Sequence, residues 1–141
     1  MKILVATDGS KSSLNAVKYA AKLASNLRTK NVITLVSVHD DAALKHAARF
    51  VGKNAVDSYL IEISEKELKS AQKILDKAGT KHNMAIKIGH VAEEIVKLGT
   101  SGKFDLIILG SKGRGGIADL LMGSVAQRVS HTSKVTVLLV K

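Results

Sequence analysis

The residues whose types and spacing best suit chemistry are glycines and a serine near the end of the chain. Gly110 and Gly113 begin a glycine-rich segment, and Gly123 and Ser124 complete the spacing G-x2-G-x9-G-S. Glycines allow a backbone to approach an anion closely, and the first N–H groups of a helix have no partners within that helix. The spacing therefore predicts a site that holds phosphate, and hence a nucleotide or another phosphorylated ligand.

Two commoner phosphate-binding patterns are absent from the sequence. A Walker A loop requires GxxxxGK[ST], and the chain contains neither Gly-Lys-Ser nor Gly-Lys-Thr. The dinucleotide fingerprint requires several glycines in the first strand–helix turn, where this chain has only Gly9. The glycine-rich segment is therefore a phosphate-binding candidate of another kind.

The elements that must position these residues are predicted by short apolar runs that alternate with helical patterns. Strands are expected at residues 2–7, 31–38, 84–88, 104–109 and 135–140. Helices are expected within 10–27, 54–78, 91–98 and 124–131, with a helical turn at 117–122 and stops at Gly79, Gly99 and Gly102. Residues 42–53 are ambiguous, with helical propensity that is broken near Gly52.

The alternation predicts an α/β protein with a single domain over residues 1–141. Continuous apolar strands are typical of a parallel sheet that helices cover on both faces. We therefore expect an open, doubly wound, Rossmann-like sheet of five strands in the order 3-2-1-4-5.

Ligands of such sheets bind outside the carboxyl ends of the strands, where the strand order reverses. The Asp8–Ser10 turn and the 110–116 segment both follow strands and are expected at that edge. Ser10, Ser12 or Ser13 is expected to cap the first helix. Ser124 is expected to cap the last helix, and its hydroxyl would either cap that helix or bind an anion. His39 also follows a strand and is expected to be a polar residue at the rim.

Composition excludes several other classes of function. Although the net charge is +10, the basic residues are spread along helical segments and no aromatic residue lies within a basic cluster, so nucleic-acid binding is not expected. The absence of cysteine excludes disulfides and thiolate metal sites and fits a cytoplasmic protein. No apolar run approaches the ~20 residues of a membrane span, so no membrane association is expected.

The whole chain resembles the universal stress protein family. The resemblance rests on Ile3-Leu-Val-Ala-Thr-Asp-Gly-Ser10, on G-x2-G-x9-G-S and on the final apolar strand. In that family the motif G-x2-G-x9-G-[ST] marks the ATP-binding branch, so the resemblance implies ATP, ADP or AMP as the ligand. One departure is Ser133-Lys-Val135, where family members often have a proline.

The resemblance also implies which residues contact the nucleotide. Residues at the ends of the first two strands would contact adenosine, and the glycine motif would hold ribose and phosphates. The set implied by the resemblance is Ala6, Thr7, Asp8, Val38, Gly110, Gly113, Gly123, Ser124 and Val125. Independently of the resemblance, the cations Lys112 and Arg114 of the glycine-rich segment could reach the phosphates, and Arg114 is included among the candidate site residues. From the residues alone, two alternatives to ligand binding stay open. Asp8 could serve merely to cap the first helix or turn, and Gly110 could be needed only for packing at the strand end.

Three classes of function remain: a nucleotide-binding regulator, a phosphotransferase or ATPase, and an interaction protein with structural glycines. Efficient phosphoryl transfer requires a phosphate-clamping cation, metal ligands and a positioned base. The sequence offers no such set, so a regulator that is not an enzyme is expected, and slow ATP hydrolysis is compatible with it. Any Mg²⁺ or Mn²⁺ is expected to be held mainly by the phosphates. The resemblance also implies a homodimer through strand 135–140 and a further protein partner that the sequence does not name.

Overall fold

The computed structural model describes residues 1–114 and 122–141. Its strands are β1 (Lys2–Ala6), β2 (Val32–His39), β3 (His82–Ile88), β4 (Leu106–Gly110) and β5 (Thr136–Val140). Its α-helices are α1 (Lys11–Asn26), α2 (Lys45–Val51), α3 (Lys53–Lys77), α4 (Val91–Ser101) and α5 (Ser124–Thr132), and a short 3-10 helix, Ala42–Leu44, precedes α2.

The strands form one parallel sheet in the order β3-β2-β1-β4-β5, which confirms the predicted topology. Strand β1 lies at the centre, where Ile3 pairs with Ile33 on one side and with Leu106 on the other. Chain order therefore reverses between β1 and β4, and the carboxyl ends of both strands meet at that point.

Helices cover both faces of the sheet and enclose two hydrophobic cores. Because side chains alternate along a strand, Ile3 and Val5 face the core under α1 and α3, and Leu4 faces the core under α4 and α5. All three are fully buried, as are Ile107 and Ile108 of β4. The continuous apolar runs in the sequence follow from this double coverage.

Helix α1 begins at a serine cap. Ser10 takes the N-cap position, and its hydroxyl accepts a hydrogen bond of 3.2 Å from the Ser13 amide. This resolves the choice among Ser10, Ser12 and Ser13. The hydroxyl groups of Ser12 and Ser13 make other contacts at the carboxyl edge of the sheet, as described below.

One helix prediction needs correction, and one ambiguous segment is resolved. Gly99 was expected to end a helix, but it lies inside α4, where a Cβ atom would approach Cδ1 of Ile107 to 2.7 Å. The glycine therefore permits close packing of α4 on β4, and the helix continues to Ser101. The ambiguous segment 42–53 is mostly helical, and Gly52, at φ +87°, separates α2 from α3.

The remaining boundaries differ from the predicted ones by one or two residues, as is usual for element ends. Of the predicted helical turn at 117–122, all but Met122 lies outside the described residues, as do Gly115 and Gly116. Across residues 1–114 and 122–141, none of the helices combines the length and the apolar character needed to cross a bilayer.

Candidate functional site

A cavity of about 260 Å³ opens at the carboxyl ends of β1, β2 and β4, where the strand order reverses. Every predicted site residue except Arg114 lines it. Residues outside the predicted site set complete the lining: Ser13, Val36, Val91, Ile95, Leu109, Lys112 and Ala126. The volume is close to the lower end of the ~300–1,000 Å³ typical of small-molecule pockets.

One wall of the cavity is apolar. Val36 and Val38 of β2 and Leu109 of β4 point toward α4 and α5 and belong to the core on that side of the sheet. Val91 and Ile95 contribute from α4. The sequence missed most of these residues because an apolar residue that lines a cavity has the same helix or strand periodicity as one that only fills the core.

The turn between β1 and α1 forms a polar wall held by its own hydrogen bonds. The hydroxyl groups of Thr7 and Ser13 lie 3.1 Å apart, and the Ser13 hydroxyl is 3.3 Å from the Asp8 amide, which donates to it. The carboxylate oxygen Oδ1 of Asp8 accepts a 2.9 Å hydrogen bond from the Ser10 amide. Asp8 therefore closes a turn, and its second oxygen, Oδ2, remains on the side of Gly113, where a Cβ atom would come within 3.4 Å of it.

The environment of Asp8 favours its ionised form. Burial alone would raise the pKa of Asp8, but hydrogen bonds from Ser10 and Ser13 and the nearby charge of Arg114 outweigh burial and lower the pKa below its ordinary value of 3.8. A carboxylate at this wall can accept hydrogen bonds from hydroxyl groups and would repel a phosphate.

The lowered pKa predicts how stability depends on pH. Ionised Asp8 contributes stability above pH 3.8, the ordinary pKa, and this contribution is lost as the pH falls below 3.8 through the folded-state value. We therefore expect the difference in unfolding free energy between the wild type and Asp8→Asn to be constant near neutral pH and to shrink in acid. Urea denaturation of both proteins across the acidic range measures it, and an unchanging difference would contradict the prediction.

The glycine-rich segment is tied to its surroundings by backbone hydrogen bonds. The Ser111 amide donates to the Val140 carbonyl of β5, and the Gly123 amide donates to the Ser111 carbonyl, each at 2.7 Å. The Lys112 amide donates to the Ser12 hydroxyl at 3.2 Å, which joins the segment to α1. These bonds hold Gly113 against the open side of the cavity.

Gly110 has a packing requirement of its own. A Cβ atom there would lie 2.5 Å from Oγ and 2.6 Å from the carbonyl carbon of Ser12. The first turn of α1 therefore approaches the end of β4 as closely as it does because position 110 has no side chain. Gly110 also lines the cavity, so the two alternatives for it are compatible.

The start of α5 differs from the prediction in one respect. Gly123, not Ser124, takes the N-cap position, and it provides no side-chain cap. The first backbone bond of α5 runs from the Gln127 amide to the Gly123 carbonyl, so the amides of Ser124, Val125 and Ala126 precede the helical hydrogen-bond ladder. Ser124 is exposed, and its hydroxyl does not occupy the N-cap position. Capping of α5 and contact with an anion therefore do not compete for this hydroxyl.

Arg114 lies apart from the cavity lining. Its Nη2 atom is 2.7 Å from Oε1 of Glu67 on α3. Arg114 is thus the one predicted site residue that the structure does not bring into the cavity lining. Among the described residues, no group of three or more His, Asp or Glu side chains forms a candidate metal site.

The fold and the site together define an open, doubly wound α/β protein with a ligand cavity at the topological switch point. The model of the universal stress protein family matches residues 1–141. The chain belongs to that family.

Individual relatives resemble the chain over nearly all of its length. Universal stress protein MJ0531 of Methanocaldococcus jannaschii is 34% identical over 99% of this chain and 81% of its own. The solved structure of MJ0577, from the same organism, is 31% identical with a TM-score of 0.87 and covers 99% of this chain and 94% of its own. A universal stress protein crystallised with cAMP is 29% identical with a TM-score of 0.65 over 100% of this chain and 96% of its own.

Proposed function

We propose that the protein binds an adenine nucleotide, ATP or its products ADP and AMP, and acts as a regulator in the response to stress. The observation that carries the proposal is the meeting of an apolar wall with the amino end of α5, where the N-cap residue is a glycine, in one cavity at the switch point of the sheet. Membership of the universal stress protein family, and the cAMP bound by one of the related structures, support an adenine nucleotide as the ligand.

The parts of the cavity suit the parts of a nucleotide. The wall formed by Val36, Val38 and Ile95 offers apolar surface for a planar base. The amides of Ser124 and Val125, which precede the hydrogen-bond ladder of α5, lie at the positive end of a helix dipole, where phosphate is favoured.

Asp8 suits the ribose better than the phosphates. Its lowered pKa keeps it negatively charged, so it would repel phosphate oxygens but would accept hydrogen bonds from ribose hydroxyl groups. This assignment places adenosine between β1 and β2 and directs the phosphates toward Gly113 and Gly123.

The role that we propose is binding and not rapid turnover. Phosphoryl transfer needs a positioned base and metal ligands in addition to a phosphate cradle. We propose that Mg²⁺ or Mn²⁺, when present, is held mainly by the phosphates, and that any hydrolysis is slow.

Calorimetric titration of the purified protein with ATP, ADP, AMP and cAMP tests the proposal, with GTP as the control for the base. We expect saturable binding of adenine nucleotides and weaker binding of GTP. A lack of binding to every adenine nucleotide at millimolar concentration would overturn the proposal. Sustained ATP hydrolysis near 1 s⁻¹ or faster, which is in the ordinary enzyme range, would instead favour a catalytic role.

We also propose that two copies associate through β5 in the cytoplasm. This strand pairs with β4 on one side only and is apolar from Val137 to Val140. An unpaired apolar edge is a template for another strand, and pairing with a second copy would cover it. Sedimentation velocity of the purified protein distinguishes a monomer from a dimer.

A further inference from the structure

A buried carboxylate lies behind the cavity, on the opposite face of the sheet. Glu67 of α3 has only 3% of its side chain exposed. Its Oε2 atom accepts a 2.8 Å hydrogen bond from the Ser37 hydroxyl and lies 2.9 Å from Nε2 of His39. A buried carboxylate needs such partners, because an isolated charge is costly to remove from water.

The alternation of β2 separates this group from the cavity. Val36 and Val38 line the cavity, and Ser37 and His39, between and after them, point to the other face and contact Glu67. His39 was expected at the rim of the ligand site. The structure instead makes it a partner of Glu67, with 22% of its side chain exposed.

Arg114 connects the two faces. Its guanidinium lies 2.7 Å from Oε1 of Glu67 and passes beside Gly9, where a Cβ atom would come within 3.2 Å of Arg114 Nη2. Gly9 has a φ of +75°, and a side chain there would also crowd Glu67. The arginine backbone, however, belongs to the glycine-rich segment, directly after Gly113.

We propose that Glu67 is a positioning residue that anchors residues 110–114 of the glycine-rich segment through Arg114. Arg114 then acts on the nucleotide by fixing the position of Gly113, and not as a cation that contacts phosphate. This inference rests on the proposed function, because it concerns how the same site is held ready for a phosphorylated ligand.

The energetics of burial favour the anchor over a phosphate contact. Among the described residues, Oε1 of Glu67 has no aligned hydrogen bond, so its ion pair with Arg114 supplies its compensation. If Arg114 turned to a phosphate, it would leave that buried oxygen without compensation, and an uncompensated buried charge is costly. Arg114 itself is 58% exposed, so it can reach Glu67 without burying its own charge completely.

A double-mutant cycle in nucleotide binding tests this assignment. We expect Glu67→Gln and Arg114→Gln each to lower ATP affinity about tenfold, and the double variant to lower it no further, because both changes remove one interaction. Adenosine affinity should change by less than about twofold, because adenosine has no phosphate to meet the segment. Arg114→Lys should restore part of the ATP affinity, since a lysine keeps the charge.

The same cycle contains the result that would overturn the proposal. If Arg114 is a phosphate-binding cation, Glu67→Gln will release it and leave ATP affinity unchanged or raised, and only Arg114→Gln will weaken binding. A merely structural role would lower ATP and adenosine affinity together. Glu65→Gln, at an exposed position of the same helix, is the matched control for loss of a carboxylate.

A second measurement examines the anchor without any nucleotide. In the free protein, trypsin should cleave the Lys112–Gly113 bond faster in Glu67→Gln than in the wild type or in Glu65→Gln, as followed by mass spectrometry. Equal cleavage rates would overturn the anchor. Faster cleavage in a protein that fails to bind ATP would instead overturn the proposed function and support the anchor. If Glu67→Gln does not fold, Arg114→Gln, a change at an exposed position, replaces it in the cleavage assay.

Discussion

Gly123→Val is expected to lower ATP affinity by about 100-fold while the protein remains folded. A Cβ atom at position 123 would lie 3.3 Å from the Gly113 nitrogen and 3.4 Å from the Lys112 Cα, so the larger valine must displace the glycine-rich segment. The φ of Gly123 is −74°, which valine adopts without strain. Disturbing two amide–phosphate hydrogen bonds, each worth about 1.5 kcal/mol or more, gives the expected loss.

Calorimetric titration of ATP and adenosine, together with thermal unfolding, measures this effect. Gly123→Ala is the graded control. Its single methyl group requires shifts of only a few tenths of an ångström, so its effect on ATP affinity should be smaller. Unchanged ATP affinity in the folded valine variant would refute the assignment of the α5 amides to phosphate.

Gly110→Ala is expected to destabilise the whole domain. The new methyl group would overlap the backbone of Ser12, at 2.6 Å from its carbonyl carbon and 2.8 Å from its oxygen, and a backbone cannot move aside as a flexible side chain can. Overpacking of this kind costs about 3 kcal/mol, which corresponds to a fall of roughly 10 °C in Tm for a domain of this size.

Thermal unfolding of Gly110→Ala and of Gly113→Ala distinguishes crowding from any general effect of adding a methyl group to this segment. Among the described residues, a Cβ atom at Gly113 would meet only Asp8 Oδ2, at an ordinary contact distance of 3.4 Å, so the Tm of Gly113→Ala should change little. Equal Tm values for the two variants would contradict the prediction that contact with α1 requires a glycine at position 110.

The fold was predictable because the alternation of apolar strand runs with helical patterns is repeated along the chain. Each strand is a continuous apolar run and each crossover has a helical pattern, so errors at single residues did not affect the topology. The N-cap of α5 was misassigned by one residue because Gly123 and Ser124 are both acceptable caps and only the backbone angles decide between them. Gly99 was misassigned because its reason is a tertiary contact with Ile107 and not a turn.

The cavity could be predicted only where a residue type was unusual. Glycines and Asp8 stand out at strand ends, but Ile95 looks like any other core residue of a helix. The partnership of Glu67 and Arg114 joins elements that are far apart in the chain, so no local pattern predicts it. One signal was available: Glu67 lies beside Leu68 on the buried stripe of α3, and a charged residue at such a position usually has a specific partner.

The central place of β1 also determines when the site can exist during folding. Pairing of β1 with β2 joins residues near in sequence, but the hydrogen bond from Lys112 to Ser12 joins residues 100 positions apart. Closing so long a loop is entropically costly, and contacts of high sequence separation form slowly. Both walls of the cavity therefore come together only after β4 and α5 have docked, and a nucleotide bound there would stabilise the completed domain without stabilising partly folded chains.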